Sequence, residues 1–305
     1  MTVCYDLHSH STASDGTLEP EELVRHACAC GVQVLALTDH DEIAGLAQAE
    51  AAAAQLQLGF VPGIELSVTW GHKTIHIVGL YVDSDSTPLQ AGIERLRVFR
   101  EWRGEEIARR LEERGISGAL EGARRHAAGQ ILSRTHFARF LVDNGNGKDV
   151  RHVFRHFLVQ GKPGYVPGQW ASLEEAVGWI RAAGGLAVIA HPARYKLSAT
   201  RRRLLYGEFR DLGGHALEVV SGSHGRDDIR QQGQHARQFG LSASAGSDYH
   251  GPGQAYLEPG RLASVPEGCT PIWLTDAWAQ AAALCNADAD GASAAGESGL
   301  VPCPG

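Results

Sequence analysis

Short apolar runs punctuate the chain at Val3–Leu7, Val34–Thr38, Phe60–Ser67, Thr74–Tyr81, Leu186–Ala190, Ala216–Val220 and Ser242–Ala245. They lack strict polar alternation, which is the pattern of strands buried on both faces, as in parallel sheets. Helical patterns separate most of them. Pro20 suits a first helical position, with Glu21 and Glu22 in the first turn and Gly31 as the stop. Ala44–Leu56 is alanine-rich, and Leu173–Ala183 and Arg226–Phe239 supply two further helices. Between Ser67 and Thr74 there is room only for a turn around Trp70-Gly71, so those strands are expected to form a hairpin. Seven strands with mostly helical crossovers predict an α/β fold, a distorted (β/α)7 barrel.

The rhythm breaks in the middle of the chain. Ile93–Arg114 reads as one long charged helix and Ile131–Gln160 as one or two more. Residues 92–165 are therefore expected to form a helical insertion over the C-terminal mouth of a barrel built from residues 1–91 and 166–285. From Asn286 the chain is rich in Ala, Gly, Asp and Ser without an apolar period, and residues 286–305 are expected to be disordered.

Charge sharpens this division. The net charge is −7, yet Arg95–Lys162 holds 15 Lys or Arg against 8 Asp or Glu, leaving 13 basic and 27 acidic residues elsewhere. A basic segment in an acidic body implies two kinds of partner, cations for the body and an anion for the segment. No run approaches the ~18 apolar residues of a membrane span. Its first residues show no basic start and no apolar signal core, so export is not expected. Its six cysteines have no paired CxxC spacing, and Cys28 and Cys30 point to different helix faces. Reduced thiols, a cytoplasmic location and no membrane or obligate protein partner are expected.

The ligand-type residues fall where the strands end. The first strand runs into Asp6-Leu7-His8-Ser9-His10, with Asp15 beyond, and the second into Thr38-Asp39-His40-Asp41. Glu65 follows Gly63-Ile64 on the third, His76 lies on the hairpin's return strand, and His191 and Asp248-Tyr249-His250 end the fifth and seventh. Barrel enzymes gather catalytic groups at the C-terminal strand ends, so these side chains should converge. So many polar groups beside a core are costly without a partner to offset desolvation. Imidazole and carboxylate suit zinc, manganese or iron. His26, His72, His126, His152, His156, His215 and His235 sit in charged or turn-like surroundings and are expected to be structural, while His136 and His224 lie near a pocket edge.

These motifs, in this order, resemble the PHP (polymerase and histidinol phosphatase) superfamily, over roughly residues 1–283. Ser14-Asp15-Gly16, Ile131–Ala138, Gly161–Val166 and Ala190–Tyr195 are similar to the subgroup that includes 3′,5′-nucleoside bisphosphate phosphatases and the RNase AM exoribonucleases. The resemblance implies two or three divalent ions. His8, His10, Glu65 and Asp248 would take the first, Asp15, His40 and His250 the second, and Glu65, His76 and His191 the third. Asp15 stands where many relatives carry histidine, and this harder ligand favours manganese, with zinc or iron as alternatives.

Such ions lower the pKa of a bound water from ~15.7 to about 7, so His8, His10, Asp15, His40, Glu65 and Asp248 are the expected catalytic set. Arg134, Lys162, Arg194 and Tyr165 are expected to bind substrate, and His136 to touch it or protonate the leaving oxygen. The expected reaction is hydrolysis of the 3′-phosphate of a 3′,5′-nucleoside bisphosphate. The alternatives are 5′-to-3′ degradation of short RNA, a histidinol-phosphatase-like reaction, and a non-catalytic metal-binding module. The overall acidity favours a small nucleotide over a long polymer.

Overall fold

The computed structural model describes residues 3–127, 131–253 and 257–295. Seven strands pair in chain order: β1 (Tyr5–Asp6), β2 (Val34–Leu37), β3 (Gly59–Trp70), β4 (Lys73–Leu80), β5 (Leu186–Ile189), β6 (Ala216–Ser221) and β7 (Ser242–Gly246). Neighbours are parallel except at β4, which is antiparallel to both β3 and β5. Leu7 N donates to Ala245 O at 2.9 Å, and Ser9 bridges to Tyr249, so β7 returns to β1 and nearly closes a barrel. The β3–β4 hairpin turns at Gly71 and His72, both at positive φ (50° and 65°), as a tight two-residue turn requires.

The helices are α1 (Pro20–Ala29), α2 (Leu46–Leu56), α3 (Thr87–Glu112), α4 (Ala119–His126), α5 (Arg134–Asp143), α6 (Val150–Val153), α7 (Leu173–Ala182), α8 (Ala199–Asp211), α9 (Arg226–Phe239) and α10 (Asp276–Ala295). Local chemistry fixes several starts. Pro20 opens α1, and Ser172 and Glu175 exchange side-chain and backbone hydrogen bonds at the head of α7. A wide turn over Phe154–Leu158 continues α6. None of the described helices is long and apolar enough to cross a membrane.

Apolar side chains from and just beyond the parallel strands, including Leu7, Ala36, Val61 and Val188, pack with Ile272 and Trp278. Tyr5 stacks on Trp273 with ring centroids 4.4 Å apart, which seats the start of α10 under the barrel. A second cluster joins β3, β4 and β6 to α3, α7 and α8. A third lies wholly within residues 107–166, where Ile107, Leu111, Phe137, Leu141 and Leu158 meet.

Two features depart from expectation. The helix expected from Ile93 begins at Thr87, and its first half (Leu89, Ile93, Leu96) belongs to the barrel core while its second half (Ile107, Leu111) joins the 107–166 cluster. A boundary at residue 92 therefore falls inside one continuous helix. The tail expected to be disordered from Asn286 is helical through Ala295, because alanine has the highest helix propensity and this stretch carries several. Residues 296–305 lie outside the described residues.

The seam between β7 and β1 depends on small residues. A Cβ on Gly246 would collide with the His8 Cβ and approach Glu218 Oε1 to 2.7 Å. Gly246→Ala should therefore destabilise the protein by roughly 1–3 kcal/mol, as overpacking does, read as a lower urea midpoint at unchanged slope. An unaltered midpoint would mean that the seam has slack.

Candidate metal centre

Strand alternation places His8 and His10 on one side of the chain leaving β1, with Nε2 atoms 3.1 Å apart. Glu65 sits midway along β3, which runs past the barrel rim, and the antiparallel direction of β4 brings His76 to the same end, opposite Ser67. His191 and Asp248 hold left-handed backbones, φ 29° and 56°. Such positions cost roughly 1–3 kcal/mol each and persist where neighbours over-determine them. Here Asp248 N donates to His8 O at 2.9 Å, Ser247 N donates to Asp6 Oδ1 at 2.8 Å, and His191 N donates to Glu218.

Five imidazoles surround the buried Glu65 carboxylate. Oε1 lies 3.0 Å from His76 Nδ1, 3.0 Å from His191 Nε2 and 3.3 Å from His8 Nε2. Oε2 lies 2.8 Å from His40 Nδ1 and 3.4 Å from His10 Nε2. Asp248 Oδ1 stands 3.3 Å from His10 and 3.6 Å from both His8 and His250. Asp15 Oδ1 is 3.3 Å from His250 Nε2 and 3.9 Å from His40 Nε2. Its other oxygen accepts from Thr135 Oγ1 at 2.8 Å and Ser133 Oγ at 3.1 Å, which turns Oδ1 inward. All nine residues expected to ligate metal are thus brought together.

The donor set fits divalent cations. Asp15 Oδ1, Glu65 Oε2 and His10 Nδ1 are buried without a hydrogen-bond partner, an arrangement that is costly unless a cation faces it. The groups that can share an ion are His10-Asp15-His40-His250, His8-His10-Asp248, His8-Glu65-His191 and His40-Glu65-His76. They overlap the three expected sets but place His40 beside Glu65 as well as Asp15.

The electrostatics of the cluster reflect the same crowding. Burial would neutralise Glu65, Asp15 and Asp248, but the adjacent imidazoles outweigh it and hold all three well below the usual carboxylate range. Burial likewise opposes charge on His250, yet Asp15 and Asp248 push it up to about 9. His8 is raised in the same way by Glu65, Glu218 and Asp248, and His40 by Glu65 and Asp15. Burial prevails at His10 and His76, which fall to about 3 and about 4.

A cavity of about 170 Å³ opens onto these residues. Its lining also carries four guanidinium groups, Arg100, Arg103, Arg134 and Arg194. Arg194 pairs with Asp248 Oδ2 at 2.7 Å, and Arg100 donates to Asp41 Oδ2 at 2.7 Å. Arg103 is fixed by two bonds to Val166 O, and Arg134 lies over the Phe154 ring at 5.6 Å. Among the described residues neither of these last two has a carboxylate partner. Burial, then Arg134 and Arg100, lower Arg103 to about 9.

Three expected substrate residues are placed elsewhere. Lys162 is exposed on the turn after the wide Phe154–Leu158 turn and does not line the cavity, because Lys162 N bonds back to Val159 O and the turn faces solvent. Tyr165 is partly buried outside the lining, where its carbonyl accepts from Arg110. His136 is buried in the first turn of α5, where Ser133 N donates to Nδ1 at 3.2 Å, and burial lowers it to about 4. It caps the helix and does not line the cavity. His224 supports the turn after β5 through Ala193 N at 3.4 Å.

Several site residues escaped the sequence. Arg100 and Arg103 are two among many arginines of a charged helix, with no signal to single them out. Glu218 was legible, since it is the lone acid of an apolar strand. Its Oε1 holds His8 Nδ1 at 3.0 Å, the support that orients a ligating imidazole.

Fold and site together define a metal-dependent hydrolase of phosphoric esters. The profile of the PHP domain family matches residues 6–185, and the chain belongs to that family. It is 49% identical over 269 residues to a 3′,5′-nucleoside bisphosphate phosphatase of Chromobacterium violaceum, covering 88% of this chain and 94% of the relative. It is 44% identical over 273 residues to the 5′-3′ exoribonuclease Rnm of Escherichia coli, covering 89% and 93%. A solved Chromobacterium violaceum structure, described as an amidohydrolase with bound sulfate and no metal, superposes with a TM-score of 0.87 at 48% identity, over 91% of this chain and 97% of that one.

The raised imidazoles give a signed pH dependence. In metal-free protein their ion pairs are complete below the ordinary value near 6.5 and are lost as pH rises through the raised values, about 9 for His250. Stability of the chelator-treated protein should therefore fall between these limits. Divalent cations displace the same protons, so their affinity should climb over that range and loading should release protons. Denaturation midpoints and calorimetric titrations in buffers of different ionisation enthalpy measure both trends. A metal affinity that is flat with pH would contradict the assignment.

Proposed function

We propose that this cavity removes the 3′-phosphate of a 3′,5′-nucleoside bisphosphate, yielding a nucleoside 5′-monophosphate. The observation that carries the reading is the pairing of two opposite fields in one cavity. Uncompensated carboxylate and imidazole donors form one part of its lining, and Arg103 and Arg134, without carboxylate partners, form another. A substrate with two anions satisfies both.

The residues divide the work. His8, His10, Asp15, His40, Glu65, His76, His191, Asp248 and His250 would hold two or three divalent ions. The carboxylate content of the Asp15 group suits manganese, with zinc or iron as alternatives. Bound ions would supply an acidified water and neutralise phosphoryl oxygens. Arg194, tied to Asp248 at 2.7 Å, borders the metals and orients the scissile phosphoryl group. Arg134 and Arg103 grip the second phosphate, for which a planar guanidinium offers two parallel donors. Ser133 and Thr135 aim Asp15.

The names of the relatives support both this reaction and a second one, stepwise 5′-to-3′ cleavage of short 5′-phosphorylated RNA, since the Escherichia coli relative is named a 5′-3′ exoribonuclease. That reaction uses the same anchors, with the 5′-phosphate on the arginines and a diester on the metals. The net charge of −7 favours short substrates.

A bisphosphate should exceed either monophosphate by roughly 10- to 150-fold in kcat/KM, since losing one charge-assisted contact costs about 1.5–3 kcal/mol. Arg134→Ala should erase most of that preference and leave monophosphate turnover nearly intact. Phosphate release from matched 3′,5′-bisphosphates, monophosphates and 5′-phosphorylated dinucleotides measures it. Equal efficiency on mono- and bisphosphates by the unaltered enzyme would overturn the two-anion reading.

A further inference from the structure

A second cluster of ligand-type side chains lies away from the cavity. His26 and Cys30 are four residues apart at the C-terminal end of α1 and share one side of it. Glu258 reaches them from the chain beyond β7. His26 Nε2 lies 2.7 Å from Glu258 Oε2 and 3.8 Å from Cys30 Sγ, and the three ligand atoms all fall within 4.8 Å of one another. The Tyr249 hydroxyl is 3.0 Å from the same nitrogen. One imidazole nitrogen thus faces a thiol, a carboxylate and a phenol, and its single proton can satisfy only one of them.

We propose that His26, Cys30 and Glu258 form a peripheral site for a borderline-soft divalent cation of the zinc type, with water in the fourth position. Zinc–sulfur and zinc–nitrogen bonds of about 2.3 and 2.05 Å at a tetrahedral angle put sulfur and nitrogen about 3.6 Å apart, close to the 3.8 Å found here. The carboxylate must retreat by a fraction of an ångström, and the Glu258 side chain, 50% exposed, is free to do so. A thiolate donor favours zinc, cobalt or copper and disfavours magnesium and calcium. The nearby helix C-terminus carries partial negative charge, which also favours a cation.

Charge balances on binding. Cys30 releases its thiol proton to solvent, Glu258 binds as a carboxylate, and His26 binds as a neutral ring through Nε2 with its proton on Nδ1. One thiolate and one carboxylate neutralise a dication, so Arg261, near enough to influence Cys30, meets no net positive charge. The ion staples α1 to the chain beyond β7. It also engages the imidazole that contacts Tyr249, the residue between candidate catalytic ligands Asp248 and His250. The site is independent of the substrate assigned to the cavity.

Cobalt(II) added to the chelator-stripped full chain provides the test, because no cysteine takes part in the catalytic cluster. Saturation should produce one equivalent of thiolate-to-cobalt charge-transfer absorption, displaced by zinc. Cys30→Ser should abolish it, and Glu258→Gln should raise the cobalt concentration needed. Cys28→Ser and Cys4→Ser should retain it. Absence of the band in the unaltered protein at saturating cobalt would overturn the proposal, and so would its survival in Cys30→Ser. If Cys30→Ser fails to fold, His26→Gln replaces it with the same expected loss.

Discussion

A carboxylate without solvent access, Glu65, is the group around which the barrel mouth is organised. A lone buried carboxylate costs several kcal/mol, and here five imidazoles offset that cost. Reaching it requires the ends of β1, β2 and β5 and the reversed strand β4 to converge within a few ångströms. His191 and Asp248, at two of the strand exits on this mouth, hold left-handed backbones. Glu218, Asp6 and the small β7 residues hold the strained exits in place.

The converse problem lies in the same cavity. Four guanidinium groups share its lining, and burial plus mutual repulsion weaken charge on Arg103 and Arg134. Asp248 and Asp41 neutralise Arg194 and Arg100, whereas Arg103 and Arg134 are clamped without a carboxylate partner among the described residues. Arg100 and Arg103 lie over the Trp170 ring at 5.0 and 5.3 Å, and Arg103 is held by a carbonyl. Guanidinium groups buried without a carboxylate partner are costly to the fold. Helix α3 links the arginines to the barrel mechanically, since it carries Arg100 and Arg103 while its first half is packed into the barrel core.

The sequence made the strands and the metal-ligand candidates legible for a common reason. Parallel strands must be apolar, and ligands must sit where they end, so both signals fall in one register. The arginine set was only partly legible. Arg134 and Arg194 lay within recognisable motifs, but Arg100 and Arg103 differ from their helical neighbours only in facing inward. Lys162 and His136 belong to motifs too, yet a motif does not say which side chains turn away from the cavity. The pairing of His26 with Cys30 was readable as an i, i+4 spacing, but comparing the cysteines only with one another hid it.

The central claim is that Glu65, facing five candidate ligand imidazoles, would hold divalent ions as part of one catalytic unit. The most direct measurement is metal content and turnover of Glu65→Gln, which preserves shape and removes only the charge. The variant should stay folded by circular dichroism, retain fewer metal ions per chain than the unaltered enzyme, and lose turnover by roughly a hundredfold or more. Full metal occupancy with undiminished turnover would contradict the account.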